Sequence, residues 1–289
     1  MWSLDTVRNA VSAGIVGVLD RLTSVYDYGT PIWEFDWDVL VVLDACRVDA
    51  MEAVADEYDF VESVGETYSV ASDSPTWMRR NLANSPPSRP PYTAYLTGNP
   101  WSAEVDVQTR RVVEVWRDRW DDELGTVRPS DVTRAAATYY DRHTHDLIVH
   151  YVQPHVPFLD RPELNPAVET SDWTGTVTDE AWDRVRRGDL PESVVWEAYV
   201  DNLRHVLDSV ETLLEAIDAE TVIVTADHAN AIGEFGLYGH PNVPIPAIRR
   251  VPLIETSGSG TADVEPLEIG PESGTRRDAA SRLEDLGYA

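Results

Sequence analysis

Four short runs rich in Val, Ile and Leu stand out along the chain, at 39–43, 94–97, 147–152 and 221–225. Each is long enough for a strand and too short for a helix, and continuous apolar character predicts strands buried on both faces of a parallel sheet. Before the last run, Val195, Tyr199, Leu203, Val206, Val210, Leu213 and Ile217 recur every three or four residues, which predicts one face of a long helix. Val132, Ala135, Ala136 and Tyr139 predict a shorter helix over 131–142. Strands alternating with helices build β-α-β units, so the expected fold class is α/β, a three-layer αβα sandwich around a mostly parallel central sheet. Two stretches break the pattern: 101–129, with room for a hairpin, and 159–192, acidic and poor in periodic apolar positions. Insertions of that length in a compact domain are usually functional or mobile.

The expected organisation is a lead-in over 1–36 followed by one catalytic domain over 37–289, whose tail at 255–275 wraps loosely before a last short helix. The apolar stretch at 10–19 lies between Asp5 and Arg8 on one side and Asp20 and Arg21 on the other. It falls short of the ~20 apolar residues that span a bilayer, and its basic flank is weak for a signal peptide. It predicts an amphipathic helix docked on the body or lying at a membrane surface, which leaves peripheral membrane contact open.

Composition adds an electrostatic constraint. Among 289 residues, 51 are acidic and 23 basic, every basic one an Arg, for a formal charge of −28. The chain is nevertheless 43% hydrophobic with 10 Trp and 12 Tyr, which excludes a disordered chain and places the acidity on the surface of an ordinary core. So large a self-repelling charge suits a salt-rich cytosol, so a cytoplasmic, halophile-type protein is expected. It also argues against a nucleic-acid partner, which needs a basic face. Cys46, the single cysteine, excludes a disulfide framework.

The chemistry collects at the strand ends. Asp44 follows the first run, His155 lies three residues past the third, and Asp227 and His228 follow the fourth. In open parallel sheets ligands bind outside the carboxyl ends of the strands, so these residues should be neighbours. Carboxylate and imidazole together suit a divalent cation. A hydroxyl beside such an ion becomes a nucleophile at neutral pH. Ser74, in Ser72-Asp73-Ser74-Pro75-Thr76-Trp77, is the leading candidate, ahead of Ser72 and Ser85. Pro75 marks a first helical position and makes Ser74 the expected N-cap of a helix running towards Leu82.

Three segments resemble the alkaline phosphatase and sulfatase superfamily in its sulfatase-like branch. Thr225-Ala226-Asp227-His228-Ala229-Asn230-Ala231-Ile232-Gly233-Glu234-Phe235-Gly236-Leu237-Tyr238-Gly239-His240-Pro241 is similar to the family's T-x-D-H-G-E-x-x-G-E-x-G-x-x-G-H-x segment. Pro154-His155-Val156-Pro157-Phe158 is similar to its P-H-x-P-F segment, and Val41-Val42-Leu43-Asp44 to the first strand carrying the opening metal carboxylate. The resemblance implies an alkaline-phosphatase-like fold and a hydrolase or transferase acting on phosphate, sulfate or phosphonate esters. It assigns Asp44, Asp227, His228 and Ser74 to a metal, Ser74 also as nucleophile, and His155 and His240 to the transferred group. Arg47 is expected to bind the anionic substrate, whether a small molecule, a glycan or a lipid head group.

Ala45 stands where many sulfatases have a second Asp, and Ala229-Asn230 replaces Gly-Glu. The resemblance therefore implies one Mn²⁺ or Zn²⁺ ahead of Ca²⁺ or Mg²⁺, and Leu159 occupies the place of a His that a two-zinc site would want. The same departures motivate a second reading, a catalytically inactive protein that binds metal or ligand.

Overall fold

The computed structural model describes residues 28–83, 92–142, 146–165 and 181–270, with Ala279, Ala280, Arg282, Leu283 and Leu286 of the tail. Among them the strands are β1 (Val39–Asp44), β2 (Gly65–Tyr68), β3 (Ala94–Thr97), β4 (Arg111–Glu114), β5 (Trp120–Asp121), β6 (Thr126–Val127), β7 (Leu147–Pro154), β8 (Val222–Ala226), β9 (Ala231–Ile232), β10 (Tyr238–Gly239) and β11 (Arg250–Thr256). The α-helices are α1 (Val48–Val54), α2 (Ser74–Met78), α3 (Val115–Arg119), α4 (Pro129–Arg142), α5 (Ala181–Arg187), α6 (Glu192–Ala216) and α7 (Pro246–Arg249). Seven strands form the main sheet in the order β2-β11-β8-β1-β7-β3-β4. From β8 to β4 the neighbours pair parallel, while β11 runs antiparallel to both β8 and β2.

The apolar runs become the central strands because both faces of the sheet are covered. On one face Val39, Val41 and Leu43 of β1 join Val149 and Tyr151 of β7, Val222 and Val224 of β8, and the periodic stripe of α6 from Val195 to Leu213. On the other face Leu40 and Val42 join Tyr95, Ile148 and Ile223, under Trp77, Met78 and Leu82 of the segment after Ser74 and under Ile32 and Trp37. The alternation of β1 between two separate cores is the geometric content of a three-layer sandwich. All six residues of β1, all eight of β7 and all five of β8 are buried.

Sequence periodicity missed three members of the sheet. β2 is a largely exposed edge strand, β4 opens on Arg111 at the other edge, and β11 carries Arg250 and Pro252. The edge strands β2 and β4 keep polar residues because one side of their ladder faces solvent, which erases the apolar run, whereas β11 is paired on both sides and is masked by its own Arg250, Pro252 and Glu255. The expected hairpin within 101–129 is present as the antiparallel pair β5–β6, but β4 and α3 precede it. Of the stretch 159–192, a 3₁₀ turn at Pro162–Leu164 and α5 are described, and 166–180 lie outside the described residues. The lead-in helix expected before residue 28 lies outside them too, as does most of the last short helix.

Leu40 is fully buried at the centre of β1, on the face away from α6. Leu40→Ala should cost about 2–5 kcal/mol through lost transfer energy and an incompletely collapsed cavity. Urea unfolding checks this as a lowered midpoint at unchanged slope.

Candidate metal centre

β1 pairs on one side with β7 and on the other with β8, so its last residue, Asp44, sits between their carboxyl ends. β8 runs directly into Asp227 and His228, and β7 carries His150 opposite Val42 of β1 and Thr97 of β3. The result is a buried cluster in which one ligand atom each from Asp44, His150 and Asp227 lie within 4.8 Å of one another. His228 Nε2 lies 3.5 Å from Asp44 Oδ1 and 3.6 Å from Asp227 Oδ2, and His150 Nε2 lies 3.6 Å from the same Asp227 oxygen.

Each carboxylate has one oxygen held by the protein and one that is not. Asp44 Oδ2 accepts from Asn99 Nδ2 at 2.8 Å and from the Ser74 hydroxyl at 3.2 Å. Asp227 Oδ1 accepts the backbone N–H groups of Ala45 at 3.1 Å and His228 at 2.8 Å. The remaining oxygens, Asp44 Oδ1 and Asp227 Oδ2, are buried without a hydrogen-bond partner, and so are His150 Nε2 and His228 Nε2. Orphaned buried polar atoms cost about 1–3 kcal/mol each and are rare in native proteins. Four such atoms gathered in one cluster make a donor set that could hold a cation. His228 donates Nδ1–H to Ala229 O at 3.1 Å, which leaves Nε2 as a lone pair.

The electrostatics agree. Burial, and then the Asp227 charge, raise the Asp44 carboxyl well above the usual range, with hydrogen bonds from Ser74 and Asn99 offsetting part of this. Burial pushes Asp227 the same way, but His228 and His150 more than reverse it, so this carboxyl lies below the usual range. Two like charges this close in a dry site cannot both persist without a counter-charge. Two carboxylate oxygens and two imidazole nitrogens make a borderline donor set that fits a divalent ion such as Zn²⁺ or Mn²⁺.

Ser74 differs from its expected placement. Asp73 is the N-cap, accepting from Thr76 N at 2.8 Å, and Ser74 is the first residue of α2 with Pro75 behind it. Relieved of capping, the Ser74 hydroxyl turns to Asp44. The Ser72 hydroxyl donates to Val243 O at 3.0 Å, and Ser85 lies outside the described residues. His155 and His240 meet with their Nε2 atoms 3.1 Å apart, and the His240 ring lies 4.5 Å, centre to centre, from that of His228. Burial keeps both imidazoles neutral, pushing His155 down to about 4 and His240 well below its ordinary value. Arg47 is turned elsewhere: it forks onto Asp49 at 2.6 and 2.8 Å, and its Nη1 reaches Glu234 at 2.9 Å and Asn230 O at 2.6 Å.

Among solved structures the chain is similar to the integral membrane protein lipooligosaccharide phosphoethanolamine transferase A of Neisseria meningitidis. The likeness has 14% identity and a TM-score of 0.51, over 87% of this chain and 55% of that one, so this chain spans little more than half that protein's length. The likeness is one of fold, an alkaline-phosphatase-like sandwich around a mostly parallel sheet. The soluble domain of the same transferase gives 12% identity and a TM-score of 0.49 over 77% of this chain and 76% of that one. A lipoteichoic acid synthase of Listeria monocytogenes gives 11% and 0.41, over 83% and 71%. No protein-family model and no curated protein matches the chain.

Within this fold the structure brings Asp44, Ser74, Asp227 and His228 together and adds two residues that the sequence reading passed over, His150 and Asn99. The available signal was a lone imidazole inside the apolar run Leu147-Ile148-Val149-His150-Tyr151-Val152, where a polar side chain needs a buried partner.

Asp44→Asn removes one of the two crowded charges. The metal-free protein should be no less stable than wild type, whereas the gain on adding Zn²⁺ or Mn²⁺, about 2.7 kcal/mol at a hundred-fold excess over Kd, should vanish. Thermal unfolding with and without metal reads both.

Proposed function

We propose that the chain is a metal-dependent hydrolase or transferase of phosphate, sulfate or phosphonate esters, with Ser74 as nucleophile. The convergence of four unpartnered buried atoms on Asp44, His150, Asp227 and His228, with the Ser74 hydroxyl at their margin, carries this reading. The bound ion would neutralise the carboxylates and acidify an oxygen beside it. Asp44 Oδ2 accepts the Ser74 hydroxyl hydrogen and so turns the Oγ lone pairs towards an incoming phosphorus or sulfur.

In the first displacement a bond forms from Ser74 Oγ to the central atom, the hydroxyl proton passing to Asp44 Oδ2, while the bond to the leaving oxygen breaks and its electron pair departs with that oxygen. His155 and His240 supply the proton. His155 donates Nδ1–H to Val156 O at 2.7 Å, so its Nε2 accepts and the hydrogen between the two rings belongs to His240. For the pair to act as general acid it must first take up a proton, which the negative charge of a bound ester beside it would favour. In the second displacement water or an acceptor hydroxyl attacks, its proton passes to the histidine pair, and Ser74 Oγ is released and takes its proton back from Asp44. Two in-line displacements give net retention.

Arg47, the expected anion ligand, is engaged by Asp49 and Glu234, so compensation of substrate charge falls on the metal centre. With a formal charge of −28 the molecule repels anions at long range, and salt shortens that reach to about 3 Å at molar ionic strength. We therefore propose a salt-rich cytoplasm as its working environment.

In molar salt the wild type should hydrolyse p-nitrophenyl phosphate or sulfate. Ser74→Ala and Asp227→Asn should each lower kcat by more than ~10³-fold. Ser74→Ala with wild-type turnover would sink the mechanism, and a wild type that binds metal but turns over neither ester favours the inactive binding protein.

A further inference from the structure

We propose that Tyr95 is a positioning residue of the metal centre, holding His150 in the one tautomer that presents a nitrogen lone pair to the ion. The inference rests on the metal-dependent reading of the same site.

His150, Tyr95, Thr97 and Asn99 are all fully buried, on or just past neighbouring strands. The Asn99 backbone N–H donates to Thr97 Oγ1 at 2.9 Å, and the Tyr95 hydroxyl donates to the same oxygen at 3.3 Å. The phenolic hydrogen is thereby committed to Thr97, and the phenolic oxygen is left to accept. Its partner is His150 Nδ1 at 2.7 Å, so Nδ1 is the protonated nitrogen and Nε2 the lone pair. That lone pair faces Asp227 Oδ2 at 3.6 Å, with no hydrogen-bond partner for either atom.

The polar chain closes on the opposite carboxylate, because the Asn99 side chain donates to Asp44 Oδ2 at 2.8 Å. One hydrogen-bonded path, from His150 through Tyr95, Thr97 and Asn99 to Asp44, thus runs behind the cluster and ties together ligand side chains of two strands. The neighbouring rings pack against the imidazole at a tilt, Trp77 at 5.4 Å and 59° and Tyr95 at 6.0 Å and 50°. Deprived of the Tyr95 oxygen, His150 would be free to place its hydrogen on Nε2, where it could bond Asp227 Oδ2 and block the ion.

Tyr95→Phe keeps the ring and removes only this oxygen. Tyr151→Phe is the matched control: Tyr151 is also fully buried in the sheet, on the face towards α6, and its hydroxyl bonds Thr133 Oγ1 at 2.7 Å, away from the metal ligands. Both variants lose a buried hydrogen bond and should be destabilised alike. Calorimetric titration with Zn²⁺ and Mn²⁺ should show Kd raised about 10–100-fold by Tyr95→Phe and unchanged by Tyr151→Phe, and the visible spectrum of the Co²⁺-loaded protein should shift only in the former. Equal Kd values for wild type and Tyr95→Phe would overturn the proposal while leaving the metal site intact. A wild type that binds neither ion removes the site reading itself. Should Tyr95→Phe fail to fold, Thr97→Val, which removes the acceptor that commits the phenolic hydrogen, reads the same effect: weakened metal binding supports the proposal and wild-type binding overturns it.

Discussion

Two carboxylates buried side by side at the rim of an apolar sheet are the constraint around which this molecule is arranged. Asp44 and Asp227 end adjacent strands, so the pairing of β1 with β8 that builds the core also forces their charges together. Folding alone does not resolve that repulsion. The protein satisfies one oxygen of each acid with its own donors and leaves the other pointing at its counterpart, with imidazole lone pairs on two sides. Buried charge that costs stability is the usual mark of a site kept for function.

The donors that hold the satisfied oxygens come from backbone turns the sheet imposes. Ala45, immediately after β1, lies at φ 60, a left-handed conformation that disfavours a residue with a Cβ. Its N–H is thereby delivered to Asp227, and its carbonyl receives the Tyr199 hydroxyl at 2.5 Å. Tyr199 belongs to the apolar stripe of α6, so the long helix that covers one face of the sheet also braces the strained turn at the metal carboxylates. Ser69, whose hydroxyl donates to Asp227 O, is tied in turn by Arg249 Nε to its own carbonyl at 2.7 Å.

What the sequence disclosed follows from this economy. Central strands and the long helix are buried on defined faces, and their periodicity survives in the residues; Ala94–Thr97 is read to the residue, and α6 within three residues at its start. The strand ends could be found because Asp44, Asp227 and His228 interrupt apolar runs at their last positions. His150 was hidden for the opposite reason: it sits mid-strand, where a single imidazole among Leu, Ile, Val and Tyr leaves the run looking apolar. Asn99 and Tyr95 were hidden because their role is to hold other side chains, and such a role has no spacing of its own. Edge strands β2 and β4 escaped because solvent on one side relaxes the demand for apolar residues, and β11, inside the sheet next to β2, escaped because Arg250, Pro252 and Glu255 break its apolar run.

His150 also bears on the departures from the sulfatase-like pattern. Ala45 stands at the position of a second Asp in many sulfatases, and Ala229-Asn230 in place of Gly-Glu removes another carboxylate. Each loss takes hard oxygen from the neighbourhood, and a site so depleted would hold Ca²⁺ poorly, since that ion wants six to eight oxygen ligands. The place opposite Asp227 is taken instead by a nitrogen from β7, and a small, left-handed Ala45 leaves the turn free to spend its N–H on that aspartate. The same substitutions that subtract an oxygen-rich site therefore leave a coherent four-donor set of two oxygens and two nitrogens, selective for the softer divalent ions. On the proposed reading, these departures leave a donor set that suits a softer ion than Ca²⁺.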